Sequence, residues 1–265
     1  MEVKIAQKVF KRYEKKYLLT TAQADALQAV LALHTQPDDY GTYWVQNLYF
    51  DTDDWDVVRT SIEKPLYKEK MRLRCYGVPD ERGSVFLELK KKYDGIVYKR
   101  RVTLPVHVVT NPNEFPLVET LLSHTDTHTK KPEQIARELG FYLRQNPVKP
   151  KMFLAYQRIA LVGTEDANLR ITMDSAVRYR LDGLHFDDPE GGSPILSPDR
   201  CLMEIKAPLS MPLWLTSALG RLGIFGHSFS KYGTCYKDFT ANFTTNINRE
   251  REPFVCSTLP ILQEA

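Results

Sequence analysis

The chain has little of what marks the commonest enzyme classes. It holds only four cysteines, Cys75, Cys201, Cys235 and Cys256. None is spaced C-x-x-C and no pairing pattern is visible. That argues against a zinc site or a disulfide framework and for the reduced thiols of a cytoplasmic protein. It has no G-x-x-x-x-G-K-[ST] loop and no G-x-G-x-x-G, which disfavours the usual nucleotide-binding folds. No apolar run approaches about 18 residues, so no membrane-spanning helix is predicted. The opening MEVKIAQKVFKRYEKKY contains no apolar core of signal-peptide length. Internal repeats and low-complexity tracts are missing too. Net charge is small, +3 over 265 residues, so a strongly basic or acidic chain is also excluded.

What the chain has is a local concentration of cations. From Lys64 to Arg101 there are 12 basic residues (Lys64, Lys68, Lys70, Arg72, Arg74, Arg82, Lys90, Lys91, Lys92, Lys99, Arg100 and Arg101) against 5 acids. Against a near-neutral background this implies a polyanionic ligand. The pattern is that of strands, whose side chains alternate with period two. Lys70, Arg72 and Arg74 alternate with Met71, Leu73 and Cys75. Glu88, Lys90 and Lys92 alternate with Val85, Leu87 and Leu89. Lys99 and Arg101 oppose Tyr98 and Val102. Asp94-Gly95 supplies a hairpin turn. Three successive strands therefore present basic ladders to one side of a sheet, where ordinary exposed faces mix signs because like charges across strands repel.

The rest of the chain repeats the pattern. Strands are predicted at Phe10–Leu19, Tyr43–Asp51, Lys68–Tyr76, Ser84–Lys92, Ile96–Leu104, Lys151–Val162, Leu169–Leu181 and Cys201–Lys206. On the seventh, Arg170, Thr172 and Asp174 share a face, and Arg178 and Arg180 continue it. Thr20 with Gln23 reads as a capping box opening a helix over Thr21–His34. Gln36–Gly41 reads as a loop. Asp53, Asp54 and Asp56 read as a solvated helix start before a short helix to about Glu63. Helical patterns follow over Asn111–Leu139, with Pro132 opening a second helix, and around Trp214–Leu222. His124 and His128, between the first two, read as loop histidines. Asp187–Pro198 reads as a loop. Ser230 reads as the N-cap of a helix running through Tyr232, Cys235, Tyr236 and Phe239. Lys231 then sits where backbone N–H groups favour an anion.

A closed barrel would place every charged face in its lumen and every apolar face outward under helices. The expectation is therefore an α+β protein: a closed eight-stranded antiparallel barrel with helices packed outside. It forms one domain over residues 1–245, with a tail at 246–265. Cations in a lumen need offsetting by Glu14, Glu88, Asp174 and Glu204, or a bound polyanion.

Several motifs, taken in order, carry a resemblance. They are Arg12-Tyr-Glu14-Lys-Lys16, Tyr49-Phe-Asp51-Thr52, Lys70-Met-Arg72-Leu-Arg74, Glu88-Leu-Lys90, Tyr156-Gln-Arg158, Arg170-Ile-Thr-Met-Asp174, Glu204-Ile-Lys206 and Ser228-Phe-Ser230-Lys231-Tyr232. Together they resemble the VTC domain, the catalytic domain of the vacuolar transporter chaperone polyphosphate polymerase, within the triphosphate tunnel metalloenzymes. The resemblance covers about residues 8–240. That superfamily's first strand usually reads E-x-E-x-K; here Arg12 replaces the first Glu. The change weakens the readings as small-triphosphate hydrolase or adenylate cyclase and suits the polymerase branch.

The resemblance implies a divalent-metal-dependent transfer of the ATP γ-phosphoryl group to the end of a growing polyphosphate chain. Lys16, Arg72, Arg74, Lys90, Lys99, Arg158 and Arg170 would grip phosphates, and Ser230 and Lys231 the terminal phosphate region. Glu204 would hold Mn²⁺ or Mg²⁺, helped by Glu14 and Glu88. ATP and inorganic polyphosphate are the implied partners, and a membrane-protein partner stays open, not visible in this sequence. A tunnel hydrolase of tripolyphosphate or a nucleoside triphosphate, or a non-catalytic polyphosphate binder, are the alternatives. Nucleic acid is not expected, because the cations alternate with aliphatic residues and not with stacking aromatics.

Overall fold

The computed structural model describes residues 13–109, 130–208 and 210–250. Its elements, in order, are β1 (Tyr13–Thr20), α1 (Thr21–Leu31), β2 (Thr35–Asp51), α2 (Asp56–Ile62), β3 (Tyr67–Tyr76), β4 (Ser84–Tyr93), β5 (Ile96–Pro105) and a 3₁₀ turn (Val106–Val109). They continue with α3 (Lys130–Gln145), β6 (Lys149–Gly163), β7 (Arg170–Arg180), β8 (Ser193–Pro194), β9 (Arg200–Ala207), α4 (Leu213–Arg221) and α5 (Lys231–Glu250). The expected helix from Asn111, the histidines His124 and His128, Arg12 and the last fifteen residues lie outside the described residues.

All eight predicted strands form, in one antiparallel sheet of order β1-β9-β7-β6-β2-β3-β4-β5, with β8 added on β7. The fold is α+β, but the expected closed barrel is not formed. Among the described residues β1 and β5 remain its two edges. Alternation shows which face strands share; closure depends on register and curl, which alternation does not record. The β5 edge carries Lys99, Arg100, Arg101 and Pro105, residues of the kind that discourage further strand pairing.

The sheet nevertheless curls. Laid flat, β1 and β4 would stand six strand spacings apart, about 29 Å. Yet Glu14 and Lys16 on β1 and Glu204 on β9 all bear electrostatically on Lys90 of β4. The charged face is therefore concave.

Two apolar layers cover the outside. Met71, Leu73, Val85, Leu87, Leu89, Val102 and Leu104 pack with Ala136, Leu139 and Tyr142 of α3. Leu19, Ile171, Met203 and Ile205 pack with Leu27 and Leu31 of α1 and with Leu215, Ala218 and Leu219 of α4. The capping box of α1 forms as expected: Gln23 N–H donates to Thr20 Oγ1 and Thr20 N–H to Gln23 Oε1, each at 3.1 Å. The helix stops at Leu31, three residues early, and His34 stacks on Trp214 at 4.2 Å. Residues 36–41, expected as a loop, continue β2, because Gly163, Val162 and Leu161 of β6 pair with Thr35, Gln36 and Pro37 across a register shift.

Not every helix lies outside. α2 and α5 pack on the concave face, against Val45, Tyr49, Met152, Leu154, Tyr156, Val177 and Tyr179. These residues share strand parity with the charged positions but are apolar or aromatic, and the two helices bury them. A second departure is a bulge at Ala176, whose φ is +49°. The extra residue reverses the side-chain alternation of β7. Arg178 and Arg180 therefore leave the charged face. Arg180 lies 3.6 Å from the Phe153 ring centre and donates to the carbonyls of Gly183, His185 and Asp188. The Asp94-Gly95 turn forms with both φ positive, +41° and +79°, as a two-residue hairpin turn requires.

Candidate functional site

The concave face is built on two buried carboxylates. Glu88, 1% exposed, is met by four cations from the two neighbouring strands, β3 and β5. Arg72 Nη2 lies at 2.8 Å, Lys99 Nζ at 2.7 Å and Arg74 Nε at 3.9 Å, and Arg101 also pairs with it. Register causes this: Glu88 stands directly between Arg72 on β3 and Arg101 on β5. Burial alone would raise the Glu88 carboxyl. Arg72, Arg74 and Lys99 outweigh it and hold the group well below the usual carboxylate range.

Asp174, fully buried, is the second anchor. Arg158, directly opposite on β6, grips it with two bonds of 2.7 and 2.8 Å. Lys231 Nζ adds a contact of 2.5 Å from the N-terminus of α5. Burial opposes ionisation, but Lys231 and Arg158 prevail and lower the Asp174 pKa. Tyr156 joins the two clusters. Its hydroxyl is 3.5 Å from Arg74 Nη2, and its ring lies under Arg158 and Lys231. Further neutral groups hold the guanidiniums: Asn47 Oδ1 accepts from Arg74 Nε at 2.9 Å and Tyr49 OH from Arg72 Nη1 at 3.0 Å.

The opposite wall is β1 with β9. Lys16 and Glu204 face each other in register, 3.9 Å apart at the charged atoms, and Lys206 Nζ lies 2.5 Å from Glu204 Oε1. Burial would raise Glu204, but Lys206 and Lys16 hold it at about 2. Lys16 Nζ also donates to the Phe229 carbonyl at 3.2 Å, and His227 N–H to the Lys16 carbonyl at 2.7 Å. These bonds fasten the loop leading into α5. Ser230 caps that helix, its Oγ accepting from Gly233 N–H at 3.2 Å.

The structure thus brings Arg72, Arg74, Lys90, Lys99, Arg158, Lys231, Lys16, Glu88 and Glu204 onto one concave surface, with Ser230 at its border. Arg170, opposite Lys206 at the end of β7, is exposed and stands at the rim. Glu14 is exposed at the start of β1 and bears on Lys90. The three candidate metal carboxylates do not gather: no group of three or more His, Cys, Asp or Glu able to hold a metal occurs among the described residues. Glu88 is occupied by cations. Glu204, ionised and partly accessible, remains, with Glu14 on the neighbouring strand. One or two carboxylates suit a hard cation that takes most of its ligands from phosphate oxygens. The sequence reading omitted Tyr49, Tyr156, Asn47 and Lys70 from the site. All four have the parity of the arginines, which was the available signal.

No helix among the described residues is long and apolar enough to cross a membrane. A family model described as VTC domain matches residues 11–240. No curated protein matches the chain. Among solved structures, the PH1819 protein of Pyrococcus horikoshii OT3 aligns at 11% identity, over 86% of this chain and 99% of that one, with a TM-score of 0.43. HpAC1 from Hippeastrum, described as showing a dominant triphosphatase activity, aligns at 16% identity, over 85% and 95%, with a TM-score of 0.46. Likeness of this degree carries no statement about activity.

Proposed function

The chain belongs to the VTC domain family, and from this premise we propose that it is a polyphosphate polymerase that moves the ATP γ-phosphoryl group onto a polyphosphate chain. The observation that carries the reading is the length of the basic face. From Lys68 to Arg74 the cations of β3 run for about 20 Å at about 3.3 Å per residue. That is longer than three phosphates sharing bridging oxygens can span, so the face suits a chain.

The residues divide the work. Arg72, Arg74 and Arg158 are held in place by Glu88, Asp174, Asn47 and Tyr49 before any ligand arrives, so little reorganisation is needed to meet phosphate oxygens. Arginine suits this role because its planar fork binds phosphate bidentately. Lys16, Lys90, Lys99 and Arg170 add point charges along and around the face. Ser230 and Lys231 present a hydroxyl and an ammonium at a helix N-terminus, where an anion is favoured. Glu204, with Glu14, would hold Mn²⁺ or Mg²⁺ against the phosphates. When bound, that ion neutralises charge on the phosphate oxygens. Phosphoryl transfer asks for positioning and charge neutralisation more than for covalent protein chemistry.

The test is incubation of the purified protein with ATP and Mn²⁺, followed by sizing of the phosphate product. Long chains are the expected result. Orthophosphate alone would overturn the polymerase reading in favour of a tunnel hydrolase, in which water replaces the acceptor. Binding without turnover would leave a polyphosphate-binding protein.

A further inference from the structure

The lysines at one end of the concave face are arranged differently from the arginines. Lys68 stands opposite Lys92, and Lys70 opposite Lys90, which in turn stands opposite Lys99. Like charges directly across strands are destabilising, and this row repeats them. Lys70 lies in its middle, half-buried, with its Nζ 5.7 Å from the Tyr232 ring centre.

The charged groups that bear most on Lys70 are all cations: Lys68 and Arg72 on β3, Lys90 on β4 and Lys16 on β1. The surrounding acids are engaged elsewhere. Asp51 on β2 accepts from the N–H groups of Thr52, Val57 and Val58 and from Tyr232 OH. Glu88 is surrounded by its four cations. Glu204 pairs with Lys206 and Lys16, and Glu14 and Glu204 act on Lys90. Of the described residues of α5, the Tyr232 ring lies against Lys70, and the nearby Ser61 carbonyl of α2 accepts from Lys68.

We propose that Lys70 is a phosphate contact loaded by protonation: it sheds its proton to solvent while the lysine row is empty and takes one up when a phosphate of a polyanion enters. The inference rests on the polyphosphate reading above. Burial and the four neighbouring cations push the Lys70 ammonium down to about 7, so near neutrality the empty protein holds both forms. A bound phosphate is the missing counter-charge and restores the ammonium. Arginine could not act this way, because it does not lose its proton in proteins.

The sign follows from linkage. Above pH 7 the free protein must acquire a proton to bind, so affinity falls by up to about tenfold per pH unit until the bound-state pKa is reached. The experiment titrates tripolyphosphate, without metal, into the full chain as wild type, Lys70→Arg and Lys70→Met. Calorimetry at pH 7.5 in two buffers of different ionisation enthalpy gives the protons taken up. The ligand's own protons are common to all three proteins. The wild type should take up about 0.7 proton more than Lys70→Arg, and its affinity should fall more steeply between pH 7 and 9. Lys70→Met should show the lower proton count with weaker binding, and it reports on Lys70 independently should the larger arginine disturb the fold. Equal proton counts and parallel pH slopes in wild type and variants, with binding intact, would overturn the role of Lys70 alone. No binding by the wild type would remove the polyphosphate reading and this inference with it.

Discussion

At the arginine end of the concave face, Arg72, Arg74 and Arg101 surround Glu88, and Arg158 and Lys231 close on Asp174. At the lysine end, Lys68, Lys70, Lys90 and Lys92 face one another. The two ends carry the same sign of charge and differ in how it is balanced. The arginine end is complete without a ligand: each guanidinium is held by a buried carboxylate, and the geometry is set in advance. At the lysine end, Lys70 lacks a counter-charge: the charged groups that bear most on it are all cations. The ammonium groups of Lys68, Lys70 and Lys90 are depressed by burial and by the cations around them. On the proposed reading, one end would orient phosphate and the other would have its charge completed by it.

The largest expected effect comes from removing an anchor at the arginine end. Glu88→Gln or Asp174→Asn leaves buried cations without their partner, a change that costs about 3–5 kcal/mol. Urea-induced unfolding should show that loss in each variant. A loss under 1 kcal/mol would mean that the carboxylates do not hold this end together. Arg72→Ala should act in the opposite sense. Glu88 keeps Lys99, Arg74 and Arg101, so the fold survives, while turnover falls by about 10²–10³, the usual loss for one preorganised donor. Parallel loss of turnover and thermal midpoint would make Arg72 structural.

Glu204→Gln sharpens the contrast on the opposite wall. If Glu204 holds the metal, metal-dependent turnover drops by about 100-fold or more, while metal-free polyphosphate binds as well as before or better. Near-normal turnover at ordinary Mn²⁺ would transfer the role to Glu14.

How much of this the sequence carried depends on the residue. The alternation of Lys70, Arg72 and Arg74 with Met71, Leu73 and Cys75 located both the charged face and the outer core, because a strand's period is fixed by its backbone. Glu88 and Asp174 were recognisable as offsets. Their partners were not, since Arg72 and Arg158 reach them through register between strands. Three further features left no periodic trace. The bulge at Ala176 depends on one positive φ, and it carries Arg178 and Arg180 away from the site. Burial of Tyr49 and Tyr156 under α5 depends on a stack between Tyr49 and Tyr232 at 4.3 Å, residues 183 positions apart. The open seam between β1 and β5 depends on the curl of the whole sheet.

The smallest expected effect is the pH dependence of stability, and it has opposite signs at the two ends. Asp174 has a lowered pKa when folded, so its contribution is present above its ordinary value of 3.8 and is lost as the pH falls below it. Lys70 is lowered from 10.5 to about 7, so its penalty is full below pH 7 and fades as the pH rises toward 10.5. Thermal midpoints of the empty protein should therefore fall in acid and rise from pH 7 to 9. The alkaline rise, about 2 kcal/mol for Lys70, should shrink in Lys70→Met, with a remainder from Lys68 and Lys90, which are lowered too. An undiminished rise in that variant would assign it to other groups.

The most direct test of the comparison is a pair of melting curves for wild type and Lys70→Met at pH 6.5, without ligand and with saturating long-chain polyphosphate. If phosphate completes the lysine end, the curves cross. Empty Lys70→Met melts above the empty wild type, because a poorly compensated charge has gone. Saturated Lys70→Met melts below the saturated wild type, because a phosphate contact has gone with it. An equal rise on adding polyphosphate to both proteins, or a variant less stable in both states, would contradict the account.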